Sequence, residues 1–121
     1  MEESIKGILE AIEYYIDGAR KSDRSIVAKA FADDATMSWS ENGELRIVPI
    51  EALYDYGDSL GPQEVAYSLT ECSATEDTAI VRIEFGFSKA GKFTDMFTMV
   101  KFGDRWKIVS KIYHIKKKNE E

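Results

Sequence analysis

An imidazole and a carboxylate held close together can pass a proton, and this chain has one histidine with which to do it, His114. His114 ends the patterned stretch RWKIVSKIYHI, and the stretch before it, FTDMFTMVKF, carries Asp95. The Gly103-Asp104 pair between them has the composition of a two-residue hairpin turn, which sets Phe102 opposite Arg105 and fixes the pairing outward from there. In that register Phe93, Asp95, Phe97, Met99 and Lys101 share a face with Trp106, Ile108, Ser110, Ile112 and His114. The opposite face carries Arg105, Lys107 and Lys111 and is expected to be wet, so the first face is read as the inner one. Asp95 then lies diagonal to His114, roughly 7 to 8 Å away across the two strands.

Two readings of this couple stand side by side. In one, Asp95 and His114 are catalytic or ligand-facing groups in a mostly apolar cavity, with Trp39, Tyr54, Phe85, Phe97 and Trp106 as walls and Ser110 on the same face. In the other they satisfy each other at the end of a sheet. A buried carboxylate is costly without a partner, so Asp95 among phenylalanines needs a reason under either. Ser110, His114 and Asp95 share a face, but no nucleophile elbow or oxyanion loop accompanies them, and no glycine-rich phosphate loop is present. Asp33-Asp34 sits at a helix end where adjacent side chains diverge. Asp55 and Asp58 are spaced for one helix face but lack a third ligand. No metal and no cofactor are expected.

The elements that must hold these groups are legible from periodicity. Ile5, Ile8, Leu9, Ile12, Tyr15, Ile16 and Ala19 mark one face of a long first helix. Ser22 or Asp23 caps a short second helix, predicted to run through Phe31 and end near Asp33-Asp34. ATMSW and LRIV flank Asn42-Gly43 as a hairpin, Pro49 opens a third helix, and Gly57 or Gly61-Pro62 ends it. Four strands follow: VAYSLTECS, AIVRIEFGF, FTDMFTMVKF and RWKIVSKIYHI. Their short connections require antiparallel neighbours. Pairing Phe87 with Phe93 turns Ala79, Val81, Ile83, Phe85 and Phe87 inward, and Val65, Tyr67 and Leu69 are assigned to the same face. The expected architecture is α+β, a curved antiparallel sheet with three helices against one face.

Composition narrows the function classes. A chain of 121 residues fits a single domain, with 116–121 expected as a flexible, solvated tail. With 22 acidic against 16 basic residues the net charge is -6, which disfavours a nucleic-acid partner. One cysteine and one histidine rule out an internal disulfide and the usual zinc sites. Neither a signal-peptide pattern nor a run of about 20 apolar residues is present, so a cytoplasmic protein without membrane contact is expected.

The order of these elements, with ARKSDRSIVAKAFADDATM running from helix into strand and GDRWKIVSKIYH closing the sheet, resembles the nuclear transport factor 2-like superfamily. Within it, IDGARKSD, LRIVPIEAL, FTDMFTMVKF and WKIVSKIYH resemble the small bacterial proteins labelled lumazine-binding, close to the polyketide-cyclase-like group. The resemblance implies a cone-shaped sheet wrapped around helices, an internal pocket for a small, partly aromatic ligand, and a homodimer through the outer sheet face. Some members of the superfamily, such as ketosteroid isomerase and scytalone dehydratase, are enzymes, and others only bind or assemble. By that likeness Asp95 and His114 would be an acid/base pair for an isomerase, cyclase or dehydratase and Tyr54 a hydrogen-bond donor. No catalytic relative's full set of residues is present, so a non-catalytic binding or interaction module stands beside the enzyme.

Overall fold

The computed structural model describes residues 2–117. Helix α1 (Glu2–Lys21) is followed by α2 (Arg24–Val27), a 3-10 turn (Ala28–Ala30), β1 (Phe31–Glu41), β2 (Glu44–Pro49) and α3 (Glu51–Leu60). The strands β3 (Val65–Ala74), β4 (Thr78–Phe87), β5 (Gly91–Phe102) and β6 (Arg105–Ile115) complete the chain. All six strands form one curved sheet in the order β2-β1-β6-β5-β4-β3. Every pairing is antiparallel except β1 with β6, which is parallel, so the sheet is mixed where the sequence reading had it wholly antiparallel. The two strands are separated in the chain by one helix and four other strands, a separation that local turn signals do not encode.

Local signals account for most boundaries. Asn42 and Gly43 both have positive φ, as the tight β1–β2 turn requires. Pro49 is tolerated at the end of β2 because β2 is an edge strand. Asp23 rather than Ser22 caps α2, its Oδ1 accepting from the Ser25 N–H at 3.0 Å. Ser22 instead donates to the Gly57 carbonyl at 2.9 Å and ties the end of α1 to α3. The second helix is shorter than predicted, because from Phe31 the chain is already extended alongside Ile108 of β6. Asp33 and Asp34 thus lie exposed on β1, in the stretch where its register with β6 is irregular.

The inner face of the sheet and one side of α1 share a single core built on Ile8, Ile12, Ile16, Val81, Ile83, Phe97, Met99 and Ile108. The inward alternation of Ala79, Val81, Ile83 and Phe85 is as expected, although the β4–β5 loop is two residues tighter, with Phe85 rather than Phe87 opposite Phe93. A shift of two preserves which side chains face in. Val65, Tyr67 and Leu69 pair with Phe87, Phe85 and Ile83 and so share the inner face, but only Val65 is buried. At the other end of the predicted boundaries, Lys116 is docked: its N–H donates to the Lys92 carbonyl at 2.9 Å and its Nζ lies 2.7 Å from Glu84 Oε1. Lys116 is therefore held to the sheet where a tail was expected, and residues 118–121 lie outside the described part of the chain.

Candidate functional site

The decisive feature is one extra residue in β6. From the Gly103-Asp104 turn the predicted pairing holds as far as Met99 with Ile108, but the next pair is Thr98 with Ser110, so Val109 is a bulge. Beyond it every side chain of β6 sits on the face opposite to the one assigned from the sequence. Asp95 now pairs with Tyr113, Phe97 with Lys111, and Thr94 with His114. Paired residues share a face, so Lys111 and Tyr113 point inward with Asp95, while Ser110, Ile112 and His114 point outward. This corrects two assignments: His114 is exposed on the outer face, away from Asp95, and Ser110 shares that outer face.

The group that Asp95 meets is the Lys111 ammonium. Asp95 is 0% exposed and Lys111 4%, and Lys111 Nζ lies 3.4 Å from Asp95 Oδ2. That contact is an ion pair without hydrogen-bond alignment, and neither carboxylate oxygen has a hydrogen-bond partner. Burial pushes the Asp95 carboxyl up from its ordinary pKa, opposed by the charge of Lys111. Burial likewise pulls the Lys111 amine down, opposed by the charge of Asp95. Both displacements bring the proton affinities of the two groups closer together than they are in water. The Lys111 Nζ also lies 4.4 Å from the centroid of the Tyr113 ring, within cation–π range.

Lys111 forms part of the wall of a cavity of about 400 Å³ between the inner face of the sheet and the three helices. Tyr15, Gly18 and Ala19 contribute from α1, Leu53, Tyr54 and Gly57 from α3, and Met37 and Trp39 from β1. Trp39 stacks on Tyr113 at 5.2 Å between centroids, and Phe93 meets Tyr113 edge-on at 5.6 Å. Arg24 bridges Asp55 and Asp58 at the edge of the cavity, so these two acids serve as a clamp between α2 and α3. Tyr54 and Tyr113 are pushed up to about 12, mainly by loss of water, and Tyr15 is raised well above the ordinary phenol value by burial and then by the charge of Asp95. All three are neutral hydrogen-bond donors near neutral pH. Among the described residues, no group of three or more His, Cys, Asp and Glu side chains is placed to hold a metal ion.

Of the residues singled out from the sequence, Trp39 and Tyr54 line this cavity. Phe85 and Phe97 are buried in the core behind it, both edge-on to Tyr15. Trp106 lies elsewhere, packed so tightly on α1 that a Cβ at Gly7 would come within 2.7 Å of its ring. The sequence reading missed Lys111, Tyr15 and Tyr113. The available signal was the adjacent apolar pair Ile108-Val109, which breaks strict alternation and marks where a bulge can sit, together with the need of a buried Asp95 for a cation.

Comparison with known proteins agrees with this architecture. The sequence profile of the family described as "Putative lumazine-binding" matches residues 3–114. A crystal structure of an NTF2-like protein of unknown function from Shewanella baltica OS155 superposes with a TM-score of 0.86 at 30% identity, over 92% of each chain. One from Methylobacillus flagellatus KT, also NTF2-like and of unknown function, gives 0.84 at 30% identity, over 94% of this chain and 93% of that one. A curated relative, Aldolase FrzH of Cladobotryum sp., is 29% identical over 102 residues, 83% of this chain and 82% of its own length. The chain belongs to the Putative lumazine-binding family, within the nuclear transport factor 2-like superfamily. No helix among the described residues is long and apolar enough to cross a membrane.

Proposed function

We propose that this protein binds a small, flat, largely apolar molecule carrying at least one polar group. The observation that supports this reading best is the cavity of about 400 Å³, which is walled by Trp39, Tyr54, Phe93 and Tyr113 and has Lys111 in its lining. Aromatic walls favour a planar ligand, and a few polar groups in an apolar cavity fix its orientation. Thermal-shift screening and tryptophan fluorescence with pterin, flavin-like and steroid-like compounds test it. At least one class is expected to raise the melting temperature and quench Trp39, and Leu53→Trp, which fills the cavity, is expected to abolish both. A folded protein that responds to none of the three classes defeats the proposal.

Turnover in the same cavity is a second reading, favoured by the Asp95–Lys111 pair: a fully buried carboxylate without hydrogen bonds is an unusual feature for a passive container. An isomerase, cyclase or dehydratase would then use Asp95 with Lys111 in the place that the sequence reading gave to His114. The relative named an aldolase also favours turnover.

The outer sheet face supports a homodimer. Leu45 and Ile47 of β2, Ile112 of β6, Met96 of β5 and Ile80 of β4 are all large, apolar and exposed, and their pairings set them on this one face. A cytoplasmic, single-domain protein fits the free Cys72 and the shared core.

A further inference from the structure

We propose that Lys111 is a nucleophilic amine that captures the carbonyl carbon of an aldehyde or ketone bound in the cavity, with Asp95 as its proton partner. The inference rests on the small-molecule reading above and adds to it a substrate class and a covalent step.

Three observations converge on it. Lys111 is almost wholly buried yet forms part of the cavity wall, so a molecule in the cavity would lie against this residue while bulk water scarcely reaches it. Its surroundings are the rings of Tyr15 and Tyr113 and the Asp95 carboxylate, whose nearer oxygen lies 3.4 Å away and has no hydrogen-bond partner, so Asp95 is placed to take the lysine's proton. The backbone spends a β-bulge to turn this lysine inward, where an unbulged strand would leave it in solvent. A buried Lys–Asp pair is not needed for folding, since well-packed apolar residues generally do as well or better. A lysine moved into a dry site loses its proton readily and becomes a nucleophile, which is how Schiff-base lysines are made.

The step balances without any further reactant. The Lys111 ammonium gives a proton to the Asp95 carboxylate, leaving a free amine and a carboxylic acid. The amine lone pair forms the N–C bond as the carbonyl π pair moves to oxygen, and that oxygen takes a proton from the nitrogen. The Asp95 acid then protonates the hydroxyl, which leaves as water, and an iminium ion faces a carboxylate. The pair therefore begins and ends with one positive and one negative charge. An iminium draws electrons from the neighbouring carbon, as making or breaking a carbon–carbon bond next to a carbonyl requires.

Benzoylacetone tests this directly, because an uncharged amine converts this aromatic 1,3-diketone into a stable enaminone with loss of water and needs no reductant. Near neutral pH, where solvent-exposed lysines are protonated, the wild-type protein is expected to gain the mass of one probe less one water. Peptide mapping is expected to locate the adduct on Lys111, with a new near-ultraviolet band. Lys111→Met is expected to lose the adduct and the band while still unfolding in a cooperative thermal transition. Asp95→Val/Lys111→Met, in which no buried charge is left unpaired, gives the same readout should the single variant not fold. Reversible binding by the wild type without an adduct overturns the covalent step and leaves the binding reading intact. Labelling that persists undiminished in the lysine variants also overturns it, as does a wild type that neither binds nor reacts with benzoylacetone; the binding reading falls only if the pterin, flavin-like and steroid-like compounds fail as well.

Discussion

At the scale of single residues, the balance between burial and Asp95 sets the protonation of Lys111. The titratable groups that face the amine are Asp95 from β5, Tyr15 from α1 and Tyr113 from its own strand, and both tyrosines stay neutral near pH 7. Burial pulls the lysine down and the Asp95 charge pulls it back up. Asp95→Asn removes the second effect and keeps the first, so the amine is expected to lose its proton at a lower pH than in the wild type. An NMR titration of isotope-labelled lysine reads this; a midpoint that is unchanged or higher would mean that the carboxylate does not govern the amine. His114 is expected to have no part in the site. It lies on the outer face beside Thr94, with the sheet between it and the cavity, so His114→Gln should leave ligand affinity within a few-fold of wild type. A loss of more than about tenfold, equivalent to roughly 1.4 kcal/mol, would return the histidine to the site.

At the scale of elements, the cavity depends on how closely α2 lies against α1. Gly18 makes that approach possible: a Cβ there would press on Val27 Cγ2 and sit 2.6 Å from the Val27 backbone nitrogen, which cannot swing aside as a side chain can. Gly18→Ala is expected to destabilise the fold by about 1–3 kcal/mol, as overpacking of a tight contact does, and to weaken ligand binding because Gly18, Ser22 and Arg24 all border the cavity. Urea denaturation that shows no loss of stability would mean that α2 moves away at no cost. Helix faces, caps, hairpin turns and the inward alternation of β4 were readable in the sequence because each depends on residues within a few positions of one another. The inner face of the last hairpin was readable only as far as Ile108. Past that point, which way Lys111 and His114 point depends on Val109 being left unpaired. The irregularity is shared by β1, whose register with β6 also shifts between Phe31 and Thr36. The adjacent apolar pair Ile108-Val109 marks where a bulge can sit, but whether one forms depends on pairing with β1 and β5, which are distant in the chain. Because the side-chain period is two, this single displaced residue exchanged a lysine for a histidine at the site.

At the scale of the whole molecule, the curved sheet separates two surfaces with different work. The concave face and the helices enclose the cavity, while the convex face exposes Ile112 and Met96 side by side in the middle strands, with Ile80 on one flank and Leu45 and Ile47 on the other. Apolar groups spread across four strands of one face make a surface that a second copy can cover without either protomer disturbing its cavity. A two-fold axis near the sheet centre would bring Ile112 of each protomer close to the partner's sheet. Ile112→Glu then sets like charges at the centre of the contact, where water is excluded and the charge has no partner. Light scattering coupled to size exclusion is expected to give a dimer for the wild type and a monomer for Ile112→Glu. The monomer should unfold at a lower temperature, because association stabilises the folded protomer by mass action. Its cavity lies on the other side of the sheet, so it should still bind whatever the wild type binds. A wild type that is monomeric, or an Ile112→Glu variant that remains dimeric, would remove this face as the interface. A variant that dissociates and also loses its ligand would show that the two faces of the sheet do not act independently.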